Sequence, residues 1–223
     1  MKYPRTYHLP YSPGATSDDK ILKSDDCFVG EKIYISEKMD GENITVTKTG
    51  WHARSEDSRV QTYHSWLGNF VAQWQWALED DEKIIGEYVA VKHTIEYNDL
   101  DTYFFVIGIV KNNVFLSFSE THNRIEEIEK STGVKLHTVP LLGIYDFENN
   151  EQLKEKSTTD IILNIAKRIV FLNGEGIVVR NAKSFPYEDF SNNVAKYVRK
   201  NHVEENAKHW SHGEIKFNTL KGK

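Results

Sequence analysis

The sequence predicts an α+β fold, in which strands and helices are mixed along the chain without strict βαβ alternation. Residues 32–36 and 43–47 alternate apolar and polar side chains, a pattern typical of strands. Between residues 60 and 78, apolar residues recur at three- and four-residue spacing, which indicates an amphipathic helix. Residues 84–91 and 103–110 are rich in β-branched and aromatic side chains, and they therefore predict two more strands.

The chain begins with a segment, residues 1–30, that we expect to form an extended arm. Residues 5–14 are rich in turn formers and contain Pro10 and Pro13, which disfavour a helix. Such a segment has to lie on another part of the protein in order to be ordered.

The elements after residue 110 follow from the same criteria. We predict a strand at 114–118 after a turn at 111–113, helices at about 120–130 and 158–171, short strands at 176–180 and 194–199, and a polar tail at 201–223. Gly133 ends the first helix, and Ser157 with Asp160 forms an imperfect capping box at the start of the second. No repeat or linker interrupts the series, so we expect a single domain over residues 1–223, without a separate C-terminal domain.

Composition indicates a folded protein of a reducing compartment. Aromatic residues make up 12% and charged residues 27% of the 223 residues, whereas disordered chains lack aromatic anchors. Cys27 is the only cysteine, so no intramolecular disulfide can form. The N-terminus has no apolar signal region, and no stretch approaches the ~18 apolar residues of a membrane span. We therefore expect a cytoplasmic protein with no membrane partner.

The charge distribution bears on nucleic-acid binding. The net charge of -5 argues against a protein that coats nucleic acid, although residues 181–223 hold 8 Lys and Arg against 5 Asp and Glu. An enzyme that grips a phosphate backbone locally, and that uses carboxylates to hold metal ions, is compatible with an acidic total.

The sharpest local motif is Glu37-Lys38-Met39-Asp40-Gly41, which places a lysine on a loop between two predicted strands. Taken alone, the motif is also compatible with a charged hairpin turn. Four further segments follow in order, each on or next to a predicted strand. They are His52-Ala53-Arg54-Ser55, Gly86-Glu87-Tyr88, Glu175-Gly176-Ile177-Val178-Val179-Arg180 and Val194-Ala195-Lys196-Tyr197-Val198-Arg199.

This ordered set resembles the covalent nucleotidyltransferase superfamily of ligases and capping enzymes, and within it the RNA ligase family. A narrower resemblance is to compact bacterial and viral RNA ligases. It rests on the arm at 5–14, the run at 38–43 and Lys196-Tyr197-Val198-Arg199 with His202-Val203 and His209-Trp210. The resemblance covers nearly the whole chain. It implies a ligase-type adenylation domain, with mostly antiparallel sheets and flanking helices.

The resemblance also implies roles for the reacting groups. Lys38 is similar to the nucleophile that takes AMP from ATP, which requires a neutral amine. Glu175 is similar to the carboxylate that coordinates Mg²⁺ or Mn²⁺ in the family. A carboxylate suits this role, since such ions prefer oxygen ligands. Lys196 is similar to the lysine that stabilises charge on the α-phosphate.

Other matched positions imply contacts to ATP. Arg54 is similar to the arginine beside the ribose and phosphate, and Glu87 to the carboxylate that binds a ribose hydroxyl. Glu37 is similar to the residue that reads adenine. Asp40 and Gly41 belong to the same ATP-binding motif.

Two positions depart from the family pattern. The strand at 103–110 has no aromatic-aspartate pair for stacking on adenine, so either Phe105 or Ile107 covers the base. The last motif has Val198 where relatives carry a second lysine, which leaves Arg199 or Lys200 for that cation.

The resemblance implies three steps in RNA repair: transfer of AMP to Lys38, transfer of AMP to an RNA 5′-phosphate, and attack by a 3′-hydroxyl. Alternatives are a DNA ligase, a GTP-using capping enzyme, or a non-catalytic RNA-binding relative. Substrate choice lies in this domain, its arm and tail, or a partner protein. The tail holds Trp210, several histidines and Lys208, Lys216 and Lys221, which either touch RNA or form a packed end.

Overall fold

A computed structural model describes residues 2–54, 60–200 and 215–222. In chain order the strands are β1 (Tyr7–His8), β2 (Lys32–Glu37), β3 (Glu42–Thr47), β4 (Gly50–Ala53), β5 (Glu82–Tyr88), β6 (Phe104–Lys111), β7 (Val114–Phe115), β8 (His137–Thr138), β9 (Leu141–Asp146), β10 (Gly176–Asn181), β11 (Phe185–Pro186) and β12 (Val194–Val198). The α-helices are α1 (Ser65–Ala72), α2 (Phe118–Thr132), α3 (Glu151–Lys154) and α4 (Thr158–Phe171). The α+β prediction is confirmed.

The described residues divide into two compact units. The first unit comprises residues 4–39 and 140–200, and the second unit comprises residues 2–3, 40–54, 60–139 and 215–222. The expectation of a single domain over 1–223 stays a prediction.

The first unit is built on a sheet in the order β1-β12-β10-β2-β9. Its described pairings are antiparallel except that of β1 with β12, which is parallel. Alternation along β2 and β10 turns one set of apolar side chains towards α4. The resulting core contains Ile33, Ile35, Ile177, Val179, Ala195 and Tyr197 with Ile162, Ala166 and Ile169 of α4. Within the described part of the arm, only β1 pairs with β12, and Asp26–Phe28 forms a short 3-10 helix. The extended arm over residues 1–30 stays a prediction.

The second unit is built on strands in the order β7-β6-β5-β3-β4, with β8 parallel to β6. One face of this sheet packs on α1 and α2. Its core includes Ile44, Val46, Ile84, Phe104, Ile109, Leu67, Val71, Trp74, Ile125 and Ile128. The predicted hairpin is confirmed, since Asn112 and Asn113 both adopt positive φ between β6 and β7.

Helix α1 is shorter than the helix predicted for residues 60–78. Short 3-10 helices at Thr62–His64 and Gln75–Ala77 flank it. The backbone leaves the helical region at Trp74, whose φ is -134°, and the Trp74 ring is fully buried. The apolar spacing predicted burial correctly, but tertiary packing of Trp74 and Leu78 ends the regular helix earlier.

The helices after residue 110 agree closely with prediction. Ser117 and Glu120 form a capping box at the start of α2, and Gly133 ends it in a left-handed conformation. Ser157 caps α4 by accepting a hydrogen bond from the Asp160 backbone.

By contrast, β9 was not predicted. It follows Pro140 and contains Gly143, and its half-exposed side chains lack a clear alternation.

Among the described residues, no helix is both long enough and apolar enough to span a bilayer.

Candidate active site

Lys38 lies at the end of β2, directly beside the start of β10. The Lys38 backbone N–H donates to the Gly176 carbonyl at 3.0 Å. The Lys38 Nζ lies 2.8 Å from each carboxylate oxygen of Glu175. The Glu175 side chain is 4% exposed and that of Lys38 is 24% exposed. The sheet register therefore brings the predicted nucleophile and the predicted metal ligand into direct contact.

This contact has a chemical consequence for the amine. A buried carboxylate beside an amine favours its charged ammonium form. An ammonium has no lone pair with which to attack phosphorus, so the pair describes a resting arrangement. A divalent ion bound to Glu175 would compete with Lys38 for the same oxygens.

Glu175 can hold such an ion only together with water or substrate oxygens. The described part of the chain has no group of three or more His, Cys, Asp or Glu side chains that could hold a metal. Mg²⁺ commonly keeps several waters and binds one or two carboxylates together with substrate phosphates. One buried, charged carboxylate is therefore sufficient on the protein side.

Lys196 lies on β12, the strand next to β10. Val178 of β10 is its register partner, and Val178 in turn pairs with Ser36 of β2. Lys196 and Lys38 thus come from two strands that flank β10. The Lys196 Nζ lies 3.8 Å from Asp19 Oδ1, a residue of the arm.

Burial perturbs the pKa values of His8 and Glu37, among other groups of the first unit. The pKa of His8 is lowered to about 4, first by burial and then by Lys196, with a smaller contribution from Lys38. The pKa of Glu37 is raised by burial. His8 is therefore neutral near pH 7, and Glu37 is a carboxylate in a poorly solvated position.

The second unit brings four polar or aromatic positions into one row across its sheet. Asn43 of β3 is the register partner of Glu87 on β5, and Glu87 is the partner of Phe105 on β6. The Arg54 backbone N–H donates to the Asn43 carbonyl at 2.9 Å. Three of the predicted ATP contacts, at Arg54, Glu87 and Phe105, are thus neighbours.

Two polar atoms in this row are buried without a hydrogen-bond partner among the described residues. They are Nε of Arg54 and Oδ1 of Asn43. Buried donors and acceptors are normally satisfied, so these atoms mark a place suited to a polar ligand. Asn43 had no role in the sequence interpretation, although it belongs to the run that carried the resemblance.

Phe105 and Ile107 differ in burial. The ring of Phe105 is 7% exposed and Ile107 is half-buried. The register between β5 and β6 shifts after Ile85, next to Ile107. The choice between the two side chains as the adenine cover stays open.

Asp40 anchors a loop of the second unit. Its Oδ2 accepts hydrogen bonds from the backbone N–H groups of Thr94 and Ile95, both at 2.8 Å, and its own N–H donates to the Tyr97 hydroxyl. Next to it, a side chain at Gly41 would collide with the Tyr88 carbonyl. These contacts explain the Asp-Gly pair as a close approach of two backbones.

The described tail, residues 215–222, packs on the same loop. Asn218 is buried, accepts a hydrogen bond from the Tyr97 backbone and donates to the Val89 carbonyl. Lys221 pairs with Asp101 at 2.8 Å, and Lys216 is exposed. This part of the tail is packed. The other predicted tail residues, including His202, Lys208, His209, Trp210 and His212, lie outside the described residues, as does Ser55.

The candidates for the second cation of the last motif differ in environment. Arg199 is half-buried, and its Nε has no hydrogen-bond partner within the described ranges. Lys200 is exposed. The choice between Arg199 and Lys200 stays open.

The arm residues that reach the site were missed by sequence reasoning. His8, Ser12 and Asp19 stand in a segment whose local signals are only turn formers and prolines. No spacing in the sequence relates them to Lys196, which follows more than 170 residues later.

Comparison with solved structures defines the class of protein. An archaeal ATP-dependent RNA ligase matches with 16% identity and a TM-score of 0.54, over 89% of this chain and 48% of that chain. A mutant RNA ligase of Naegleria gruberi with ATP and Mn matches with 16% identity and a TM-score of 0.55, over 76% of this chain and 50% of that chain. The N. gruberi enzyme with PPi matches with 18% identity and a TM-score of 0.54, over 79% and 52%. The chain therefore has the nucleotidyltransferase-type fold of RNA ligases, and it spans about half the length of these structures.

The RNA ligase family model matches residues 31–198, which is most of the chain. This protein belongs to the RNA ligase family. No curated protein matches the chain in sequence. The family and fold expectations are thus confirmed, and the narrower resemblance to compact bacterial and viral enzymes stays a prediction.

Proposed function

We propose that this protein is an ATP-dependent RNA ligase that joins an RNA 5′-phosphate to a 3′-hydroxyl through an AMP adduct on Lys38. The observation that carries the proposal is the contact of Lys38 Nζ with the buried Glu175 carboxylate at 2.8 Å, in a member of the RNA ligase family. Burial of an acid is unfavourable unless the acid is paired, so a charged turn at the surface does not account for this contact.

In the first step, the neutral Nζ of Lys38 attacks the α-phosphorus of ATP. A phosphorus–nitrogen bond forms, the bond from the α-phosphorus to the bridging oxygen breaks, and pyrophosphate leaves with the electron pair. Lys196 stabilises the charge that develops on the α-phosphate oxygens. The lysine gives up its proton before attack, and release from Glu175 favours that loss.

Glu175 would hold the divalent ion, Mg²⁺ or Mn²⁺. When bound, the ion neutralises phosphate charge and aids departure of pyrophosphate. Because the same carboxylate holds Lys38, occupancy by the ion and release of the amine are linked.

The remaining positions bind the nucleotide in this proposal. Arg54 donates to ribose and phosphate oxygens through the Nε that is buried without a partner within the described residues. Glu87 accepts from a ribose hydroxyl, Glu37 reads adenine, and Phe105 or Ile107 covers the base. Asp40 and Gly41 shape the adjoining loop.

In the second step, an oxygen of the RNA 5′-phosphate attacks the AMP phosphorus and Lys38 leaves. In the third, the 3′-hydroxyl attacks the 5′-phosphate, and AMP leaves as the phosphodiester forms. RNA repair in the cytoplasm is the setting we propose, since one cysteine suits a reducing compartment.

The test is adduct formation with ATP labelled at the α-phosphate, in the presence of Mg²⁺. We expect label on the parent protein that survives denaturation in SDS and is released by acid, as a phosphorus–nitrogen bond requires, and no label on Lys38→Ala, because that substitution removes the attacking nitrogen. Lys32→Ala is the matched control, since Lys32 is an exposed lysine on the same strand. Mass spectrometry should find the AMP on Lys38, and label that persists in Lys38→Ala would exclude this nucleophile.

The same assay separates the alternatives. Label from GTP alone would indicate a capping-type enzyme, and absence of any adduct would indicate a non-catalytic RNA-binding relative. Joining of nicked DNA in preference to 5′-phosphorylated RNA would indicate a DNA ligase. A panel of nicked duplexes, broken tRNA loops and single strands would then identify the RNA substrate.

A further inference from the structure

The N-terminal arm runs alongside the last motif of the ligase site. His8 of β1 is the register partner of Lys196 on β12. The Leu9 N–H donates to the Lys196 carbonyl at 2.8 Å, and the Gly14 N–H donates to the Val198 carbonyl at 2.9 Å. The backbone of the arm is therefore fixed on both sides of Lys196.

Side chains of the arm add a series of polar contacts beside this backbone pairing. The Val198 N–H donates to Ser12 Oγ at 2.9 Å, and Ser12 Oγ lies 2.8 Å from His8 Nδ1. The hydrogen of the Ser12 hydroxyl has two acceptors within reach, Nδ1 of His8 and, at 3.5 Å, the Val198 carbonyl. His8 Nε2 lies 3.4 Å from Asp19 Oδ2 without the alignment of a hydrogen bond, and it has no hydrogen-bond partner among the described residues.

Asp19 ends this series next to Lys196. Its Oδ2 accepts from the backbone N–H of Thr16 at 3.1 Å and from the Thr16 hydroxyl at 3.0 Å. Its Oδ1 lies 3.8 Å from Lys196 Nζ. These hydrogen bonds, with Lys196 and His8, lower the pKa of Asp19 despite its partial burial, so it is a carboxylate at neutral pH.

We propose that Asp19, held by its hydrogen bonds from Thr16, is a positioning residue for Lys196, and that the arm is thus a functional part of the ligase site. The proposal rests on the proposed function. Lysine has a long, flexible side chain, so orientation before ATP binds reduces the entropy lost on reaching the transition state. Asp19 supplies that orientation through charge and does not itself touch the reacting atoms.

Asp19→Asn is the variant of choice, because the amide oxygen can keep the Thr16 contacts while the charge is lost. We expect its rate of AMP attachment at saturating ATP to fall about tenfold or more, with a smaller change in the ATP concentration for half-saturation. Asp18→Asn is the matched control. It makes the same change at the adjacent, exposed residue and should react like the parent.

A double-mutant cycle separates positioning from a general structural effect. In a Lys196→Ala background, Asp19→Asn should cause no further loss, because the group through which it acts is absent. Additive losses would overturn the proposal, as would a rate for Asp19→Asn equal to that of the parent. A shifted Mg²⁺ requirement in Asp19→Asn would overturn it in favour of a metal ligand, and Asp19→Glu should restore part of the rate.

A second readout does not depend on ligase activity. Acylation of Lys196 by a lysine-reactive reagent, followed by mass spectrometry, should be faster in Asp19→Asn than in the parent or in Asp18→Asn, because a nearby carboxylate favours the charged, unreactive ammonium. Equal reactivity would contradict the contact itself. If the parent forms no AMP adduct but Lys196 reactivity changes as expected, the proposed function fails and the contact between arm and lysine stands.

Discussion

At the scale of single residues, the site depends on charged groups held away from water. Glu175 is almost completely buried, yet both of its oxygens have a partner in the Lys38 amine. Removing one member of such a buried pair usually costs more than the pair contributes, because the remaining charge is left unsolvated. Burial likewise disfavours the charged form of Glu37 and raises its pKa.

Glu37 yields a prediction about pH. Its folded-state pKa lies above the ordinary value of 4.5, so the folded protein favours the protonated acid and loses stability as pH rises through the window above that value. We expect Glu37→Gln to be more stable than the parent at about pH 7.5, with a smaller gain at about pH 4. Urea denaturation at both pH values measures this.

Glu148→Gln, at an exposed position, is the control and should show no such dependence. If Glu37 reads adenine as proposed, AMP attachment should fall in Glu37→Gln while stability rises. A variant less stable than the parent at the higher pH would contradict the assignment of an unfavourably buried carboxylate.

At the scale of elements, an ion pair joins α2 to the first residue of β5. The Arg124 guanidinium contacts the two oxygens of Glu82 at 2.7 and 2.8 Å and also donates to the Ala77 carbonyl. The Glu82 side chain is fully buried. These hydrogen bonds fix the position of α2 against the start of β5.

We therefore expect Arg124→Ala to lower the free energy of unfolding by about 3–5 kcal/mol, because Glu82 remains buried without its cation. Lys130→Ala removes an exposed ion pair on the same helix, with Glu126 at 3.5 Å, and should cost less than about 1 kcal/mol. Urea denaturation monitored by circular dichroism compares the two. Similar losses in both variants would show that the Glu82 pair is not the main contact.

At the scale of the whole molecule, each unit has its own sheet and its own apolar core. The predicted ATP contacts are distributed over both units: Glu37, Lys38, Glu175 and Lys196 lie in the first, and Asp40, Gly41, Arg54, Glu87, Phe105 and Ile107 lie in the second. A nucleotide that binds the folded protein and not the unfolded chain raises its stability.

The corresponding prediction concerns thermal unfolding of Lys38→Ala, which in the proposed mechanism binds ATP but forms no adduct. Nucleotide at about 100 times its dissociation constant stabilises a folded protein by about 2.7 kcal/mol, which for a chain of this length raises the midpoint by roughly 5–10 °C. We expect this increase with ATP and Mg²⁺, and a smaller one after the metal is removed with EDTA. An equal increase with GTP would argue against selection of adenine, and no increase with ATP would contradict binding.

Much of the local structure is determined by the sequence itself. The alternation at 32–36 and 43–47 predicted β2 and β3 within one residue, and Gly133 and Ser157 predicted the end of one helix and the start of the next. These features depend on side chains close together in the chain, where periodicity and capping act directly. The same is true of the lysine loop, whose motif is local.

Only the tertiary structure decided which distant residues meet. Lys38 and Glu175 are 137 residues apart, and Asp19 reaches Lys196 because a two-residue strand of the arm pairs with β12. The edge strand β9 and the early end of α1 were likewise set by partners that local patterns do not specify. Strand pairing depends on backbone hydrogen bonds that any sequence can make, so register and neighbour are chosen by burial across the entire sheet. For that reason the sequence determined the candidate site residues and most of the elements that carry them, and the fold determined which of them meet within each unit.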